Sequence, residues 1–162
     1  MKNIEYRGLN IEIYQDIDAE SPREGENSWV LHCEHRRYNL GDSTPLPEGE
    51  FKSVPIFAYD HGGIRLATKP FNDRFDSGQL GIAWPREESA TLEMLEYEIK
   101  AYNQYLNGDI WGFCATDNTG DCIDSCGGFF GVDDAITEGK ASIDWHLDRA
   151  TGVQMLLPLS LP

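Results

Sequence analysis

The residues best equipped for chemistry fall in five short segments: HRRYNLGD (His35–Asp42), YDHGG (Tyr59–Gly63), DSGQLG (Asp76–Gly81), NGDIWGF (Asn107–Phe113) and DSCGGFFG (Asp124–Gly131). In the last, the Cys126 thiol precedes Gly127 and Gly128, whose small size leaves backbone amides open to an oxyanion. A thiol nucleophile needs a base and an orienting group; His61 or His35, with Asp60 or Asp76, have those types. Such a set is generic in a chain with 4 histidines and many aspartates. Neither a nucleophile elbow nor a cysteine-hydrolase signature is present. The competing expectation is a tight turn after an edge strand, capped by Asp124.

Arg36 and Arg37 form an island of positive charge beside His35. Guanidinium groups bind phosphate or carboxylate in bidentate fashion. With His35 and Asp76 they would suit an anionic ligand such as a nucleotide-like metabolite; the plainer expectation pairs them internally with Asp42 or Asp76. A structural metal is disfavoured. His32, Cys33 and His35, or Cys122 and Cys126, lack the paired short spacings of zinc ligands, and neighbours on a strand face opposite ways. Cys33, Cys114 and Cys122 read instead as small buried strand residues. Asp73, Asp76, Asp109, Asp117, Asp121 and Asp124 could hide a two-carboxylate or magnesium site, yet Asp-Asn-Thr-Gly-Asp is also ordinary hairpin-turn chemistry. No cofactor is expected.

Charge narrows the partners. With 28 acidic and 13 basic residues the chain carries a formal net charge of -15. Direct binding to nucleic acid or an anionic membrane needs a basic face, so both are excluded as expectations. A basic protein partner is not. Glu87, Glu88, Glu93, Glu96 and Glu98 on the first helix, with the loop Asp16–Glu26, could make an acidic face that stands in for the phosphates a nucleic-acid-binding protein recognises; a merely solvated acidic face is the plainer expectation. The opening MKNIEYRGLN does not read as a signal peptide, and no run is long enough to span a membrane. A cytoplasmic location with reduced thiols is therefore expected.

These groups must be positioned by strands first and helices second. Ile4–Tyr14 reads as two strands about an Arg-Gly-Leu-Asn turn, and Trp29–Cys33 as another strand. VPIFAYD and IRLAT flank His-Gly-Gly as a hairpin, and QLGIAWP closes at Pro85. From Arg86 to Leu106 the period changes: Leu92, Leu95, Ile99, Tyr102 and Leu106 share one helical face, with Gly108 as C-terminal cap. DIWGFCAT and DCIDS make a second hairpin. A second helix follows from Asp133 to about Ala150, with Ile136, Ile143, Leu147 and Ala150 on one side and Gly139 as a weak point. The 162 residues are expected to form a single α+β domain: an antiparallel sheet of six to eight strands with two helices packed on one face. The apolar tail, residues 153–162, would pack along the domain or against a second copy, making a homodimer.

Taken in order, SPRE (Ser21–Glu24), HRRYNLGD, YDHGGIRLAT, DRFDSGQLGIAW, EIKAYNQYLNGDIWGF and DSCGGFFG resemble a family of small proteins encoded in bacteriophage and prophage genomes. The likeness runs from about Glu12 to Gly131. Family members are of unknown function, so the resemblance assigns no catalytic residue. It departs at PREESATLEMLE, short and acidic where relatives carry a longer, more basic stretch. The resemblance implies a phage accessory product in the host cytoplasm that binds and inhibits a host protein handling nucleic acid or defence. A small enzyme or ligand-binding protein using His35, Arg36, Arg37, Asp76 and Cys126 is the alternative.

Overall fold

A computed structural model describes residues 1–35 and 38–150, the side chain of Ala150 excepted. Arg36, Arg37 and the tail 153–162 lie outside the described residues. The strands are β1 (Lys2–Tyr6), β2 (Leu9–Gln15), β3 (Trp29–Cys33), β4 (Val54–Asp60), β5 (Ile64–Ala67) and β6 (Ser77–Pro85). Helix α1 (Leu92–Leu106) follows, then β7 (Ile110–Thr116), β8 (Cys122–Phe130) and α2 (Val132–Ala150). The class is α+β, and every strand pairing is antiparallel. The expected single sheet is instead two sheets of four, ordered β1-β2-β7-β8 and β3-β6-β4-β5. Each of the two expected helices packs on its own sheet, in one of two compact units.

The first unit joins residues 1–19 to the chain from Asp109 on. Its β1–β2 turn places Arg7 at φ 52 and Gly8 at φ 80, the left-handed pair that a two-residue hairpin needs. Alternation sends Ile11 and Ile13 of β2, with Phe113 and Ala115 of β7, toward Ala135 and Ile143 of α2. Ile136 and Leu147 pack at the rim of this core. Gly139 does not split the helix. A Cβ there would stand 2.9 Å from Ile11 Cγ2 and 3.3 Å from Phe113 Cγ, so glycine lets α2 settle onto the sheet. The Arg7 guanidinium bonds Asp144 at 2.6 Å, and the Tyr6 hydroxyl donates to it at 3.1 Å, tying the hairpin to α2.

The second unit is residues 20–108. Trp29 and Leu31 of β3, Ile56 of β4, Leu66 of β5 and Leu80 of β6 pack against Leu95, Ile99 and Tyr102 of α1. The 4-3 spacing of those helix residues is the expected apolar face, although Leu92 at its start is exposed. The helix begins later than the period suggests. Thr91 is the N-cap, its hydroxyl accepting from the Met94 amide at 3.3 Å, so Glu87 and Glu88 lie in the preceding turn. Gly108 ends it at φ 67, its amide bonded to the Tyr105 carbonyl at 3.0 Å.

Candidate functional site

The most buried polar constellation belongs to Arg23, in the SPRE segment. Ser21 caps a 3-10 turn, its hydroxyl accepting from the Arg23 amide at 3.2 Å, and Pro22 starts it. The Arg23 side chain, 5% exposed, then makes five bonds. Nε and Nη2 donate to the two oxygens of Asp42 at 2.9 and 2.7 Å, and Nη2 also to the Trp29 carbonyl at 2.8 Å. Nη1 donates to Asn27 Oδ1 and to Glu98 Oε2, both at 3.0 Å. Asp42 accepts further bonds from the Leu31 amide and Arg86, and Glu98 from the Ser28 amide at 2.6 Å. Burial alone would lower the guanidinium; the bonds and charges of Asp42 and then Glu98 outweigh it and hold Arg23 above its ordinary value. A buried charge so fully bonded is structural.

That network reassigns residues read differently from the sequence. Asp42, one expected counter-ion of Arg36 and Arg37, is engaged by Arg23 and Arg86. Glu98, expected on the acidic face, is inside. Gly41, at φ 83, bridges β3 so closely that a Cβ would strike the Leu31 carbonyl, and the Asp42 amide bonds that same carbonyl at 2.7 Å. The end of the HRRYNLGD segment thus closes the core.

Its start lines an open cleft of about 530 Å³. Glu34 and His35 form one wall, Asp60 of β4 another, and Phe75, Asp76 and Gln79 a third. The segments are laced together: the Asp60 amide donates to the Asp76 carbonyl at 2.8 Å, and the Tyr38 hydroxyl to the Asp60 carboxylate at 3.1 Å. The His35 ring stacks on Tyr38 with centroids 4.9 Å apart. His61 Nδ1 lies 2.9 Å from Asp76 Oδ2, an exposed imidazole–carboxylate pair. Asp73 shapes the loop by accepting from the amides of Phe75 and Asp76, both at 2.8 Å; the Asp76 bond first, then that of Phe75, holds its carboxyl below the usual value. Phe75 stands 97% exposed on the rim. Three motif segments therefore converge on one cleft, rich in hydrogen-bond acceptors. Of the residues expected together, His35 and Asp76 line this cleft, and His61 pairs with Asp76.

Cys126 belongs to the other unit, on edge strand β8 rather than in a tight turn. It is exposed, with its sulfur 3.6 Å from the Gly127 carbonyl. The Gly128 amide, a candidate oxyanion donor, bonds Asp16 Oδ2 at 2.9 Å. Asp124 lies within β8 and does not cap a turn; its carboxylate accepts from the Ser125 amide and from Ser142 Oγ at 2.7 Å. Cys33 is partly buried, and burial pushes its thiol up to about 12. Cys122, expected inside, is exposed. The aspartates do not gather: Asp73 and Asp76 sit in one unit, and Asp109, Asp117, Asp121 and Asp124 in the other. No group of three or more metal-ligating side chains occurs among the described residues.

Glu87, Glu88, Glu93 and Glu96 are exposed as expected, and no ion pair among the described residues involves them. Glu96 accepts from the Thr68 hydroxyl, at 3.3 Å. No helix among the described residues is long and apolar enough to cross a membrane. Sequence reasoning missed Arg23 as the hub, Asn103 of α1 with the C-cap residue Asn107, and the approach of Cys114 to Cys122. The asparagines carried a signal, two amides four residues apart on one helix face. Compared with protein-family models, curated proteins and solved structures, the chain matches none.

Proposed function

We propose that the protein is a phage-encoded, non-enzymatic accessory protein that binds a basic host protein by presenting carboxylates where that partner expects phosphates. One observation carries the reading. The carboxylates at and before α1 divide sharply, Glu98 consumed in the core network while Glu87, Glu88, Glu93 and Glu96 face solvent. Surface carboxylates held in no ion pair cost folding a little through mutual repulsion, and their use is the field they project. In a chain of net charge -15 that field steers basic surfaces in and repels nucleic acid itself. The host protein this fits is one that handles nucleic acid, in metabolism or in defence.

The test is capture of host-lysate proteins on the tagged chain, eluted by salt. A nucleic-acid-handling protein that elutes early in salt, is displaced by duplex DNA, and is lost on Glu93→Lys with Glu96→Lys supports the reading. Capture that survives the reversal removes it.

The cleft favours a second reading, a protein that binds a small polar or nucleotide-like ligand through His35, Asp60 and Asp76. A thermal-shift screen of nucleotides and their fragments separates the two. Stabilisation that Asp76→Asn abolishes and Glu93→Lys leaves intact would place function in the cleft.

A further inference from the structure

We propose that Cys114 and Cys122 form a reactive dithiol, a site oxidised to a disulfide by a peroxide or a neutral low-molecular-weight disulfide. Both thiols are free, and their sulfurs stand 3.6 Å apart where β7 and β8 meet the hairpin turn. Neither serves the core. Phe113 and Ala115 fill it from β7, and Cys114, between them, alternates to the opposite face. Cys122 is exposed, so an oxidant reaches it directly.

The turn beyond the pair is braced. Asp117 accepts from the Thr119 amide at 2.8 Å, the Thr119 hydroxyl at 2.6 Å and the Asp121 amide at 3.0 Å. The backbone closes it again, from the Asp117 amide to the Asp121 carbonyl at 3.0 Å. A turn held this way keeps the strand ends together, so the sulfurs meet as an intramolecular pair at high effective concentration. Cys122 lies opposite Thr116 rather than Cys114, so closing to a bond of about 2.05 Å takes an adjustment at the irregular register beside Ala115 as well as side-chain rotation.

The step balances with hydrogen peroxide. The Cys122 thiolate attacks the O–O bond, forming a sulfenic acid and releasing hydroxide, which takes up the thiol proton as water. The Cys114 sulfur then attacks the sulfenic sulfur; the S–S bond forms, the S–O bond breaks, and a second water leaves. Two electrons pass from the thiols to the peroxide. With a small disulfide as oxidant, exchange releases two small thiols instead. Cys122 is the more exposed of the two and meets the oxidant first, leaving Cys114 the second, resolving role; burial, then Cys122 and the Glu12 carboxylate, hold the Cys114 thiol above its ordinary value. The same acidic surroundings disfavour anionic oxidants, so a neutral disulfide reacts faster than glutathione disulfide.

The experiment is treatment of the full chain with equimolar hydrogen peroxide, followed by thiol counting and peptide mass mapping. Loss of two of the four thiols, a mass lower by two hydrogen atoms, and a Cys114–Cys122 link that dithiothreitol reverses are expected. A Cys33→Ser, Cys126→Ser double variant keeps that behaviour, and Cys122→Ser loses the link. Oxidation that falls first on Cys126, or a link between chains with Cys114 and Cys122 still titratable, overturns the proposal. Mapping the unaltered chain decides between these outcomes even if a variant fails to fold.

Discussion

Asn103 of α1 binds Leu66 of β5 as a neighbouring strand would. Its side-chain amide accepts from the Leu66 N–H at 2.7 Å and donates to the Leu66 carbonyl at 2.9 Å. One turn on, Asn107 donates to the Ile64 carbonyl at 2.9 Å. β5 is the edge of its sheet, so two helix side chains seal an edge that would otherwise offer itself to another chain. Asn103→Leu should cost about 1–3 kcal/mol, the penalty of stranding a part-buried amide and carbonyl. It should also make association concentration-dependent. Urea unfolding and sedimentation velocity read the two effects, and a variant matching the parent in both would contradict the sealing role.

Arg23→Met leaves the largely buried Glu98 charged without its counter-ion and Asp42 with only its longer, 3.3 Å contact to Arg86. The expected loss is about 3–5 kcal/mol in chemical denaturation. Replacing Arg23, Asp42 and Glu98 together with apolar residues should cost less than Arg23→Met alone, because no charge is then stranded. A triple variant less stable than the single one would show that the network contributes more than mutual neutralisation.

Gly139→Ala pits propensity against packing. Alanine gains about 1 kcal/mol in a helix interior. The added methyl would press on Ile11 and Phe113, and overfilling a packed site costs about 1–3 kcal/mol. Net destabilisation is expected, with exposed Glu138→Ala within about 0.5 kcal/mol of the parent. Thermal unfolding of the two variants decides it; a stabilised Gly139→Ala would mean that α2 sits farther from the sheet.

Acid should loosen the first unit at two places. The Arg7 bond, against a smaller effect of burial, holds Asp144 below its ordinary 3.8, and bonds from Thr119 and then the Asp121 amide hold Asp117 low. A carboxyl depressed in the folded state stabilises above its unfolded value and loses that contribution as pH falls through the folded one. Stability should therefore be flat above about pH 5 and decline below the ordinary carboxylate value. Asp144→Asn should shallow that decline. Denaturant midpoints measured from about pH 6 to about pH 2 test it, and an unchanged slope in Asp144→Asn would clear the residue of the role.

Much of the fold was legible because local chemistry decides it. Trp29–Cys33 is a strand at the expected bounds, His-Gly-Gly does turn β4 into β5, and Gly108 does end α1. The division into two sheets was not legible, because alternation says which face is buried and not which strand lies alongside. β2 pairs with β7 across residues 20–108, and nothing in IEIY or IWGFCAT names the other. The site was half legible. Segments rich in Asp, His and Gly do converge on a cleft, yet Glu98 looked like any surface glutamate until the turn at Pro22 brought Arg23 to it.

The route of the chain through the first unit has a bearing on its synthesis. β2 leaves the ribosome long before β7, and its hydrogen-bonding edge waits while residues 20–108 are made. Those residues hold a complete sheet, helix and core of their own, so they can fold in the interval. Doing so turns a long floppy loop into a compact tether and lowers the entropy lost when β2 and β7 finally join. A lesion in the Arg23 network would then be felt twice, once where it lies and once as slow, nonlocal closure of the other unit's sheet.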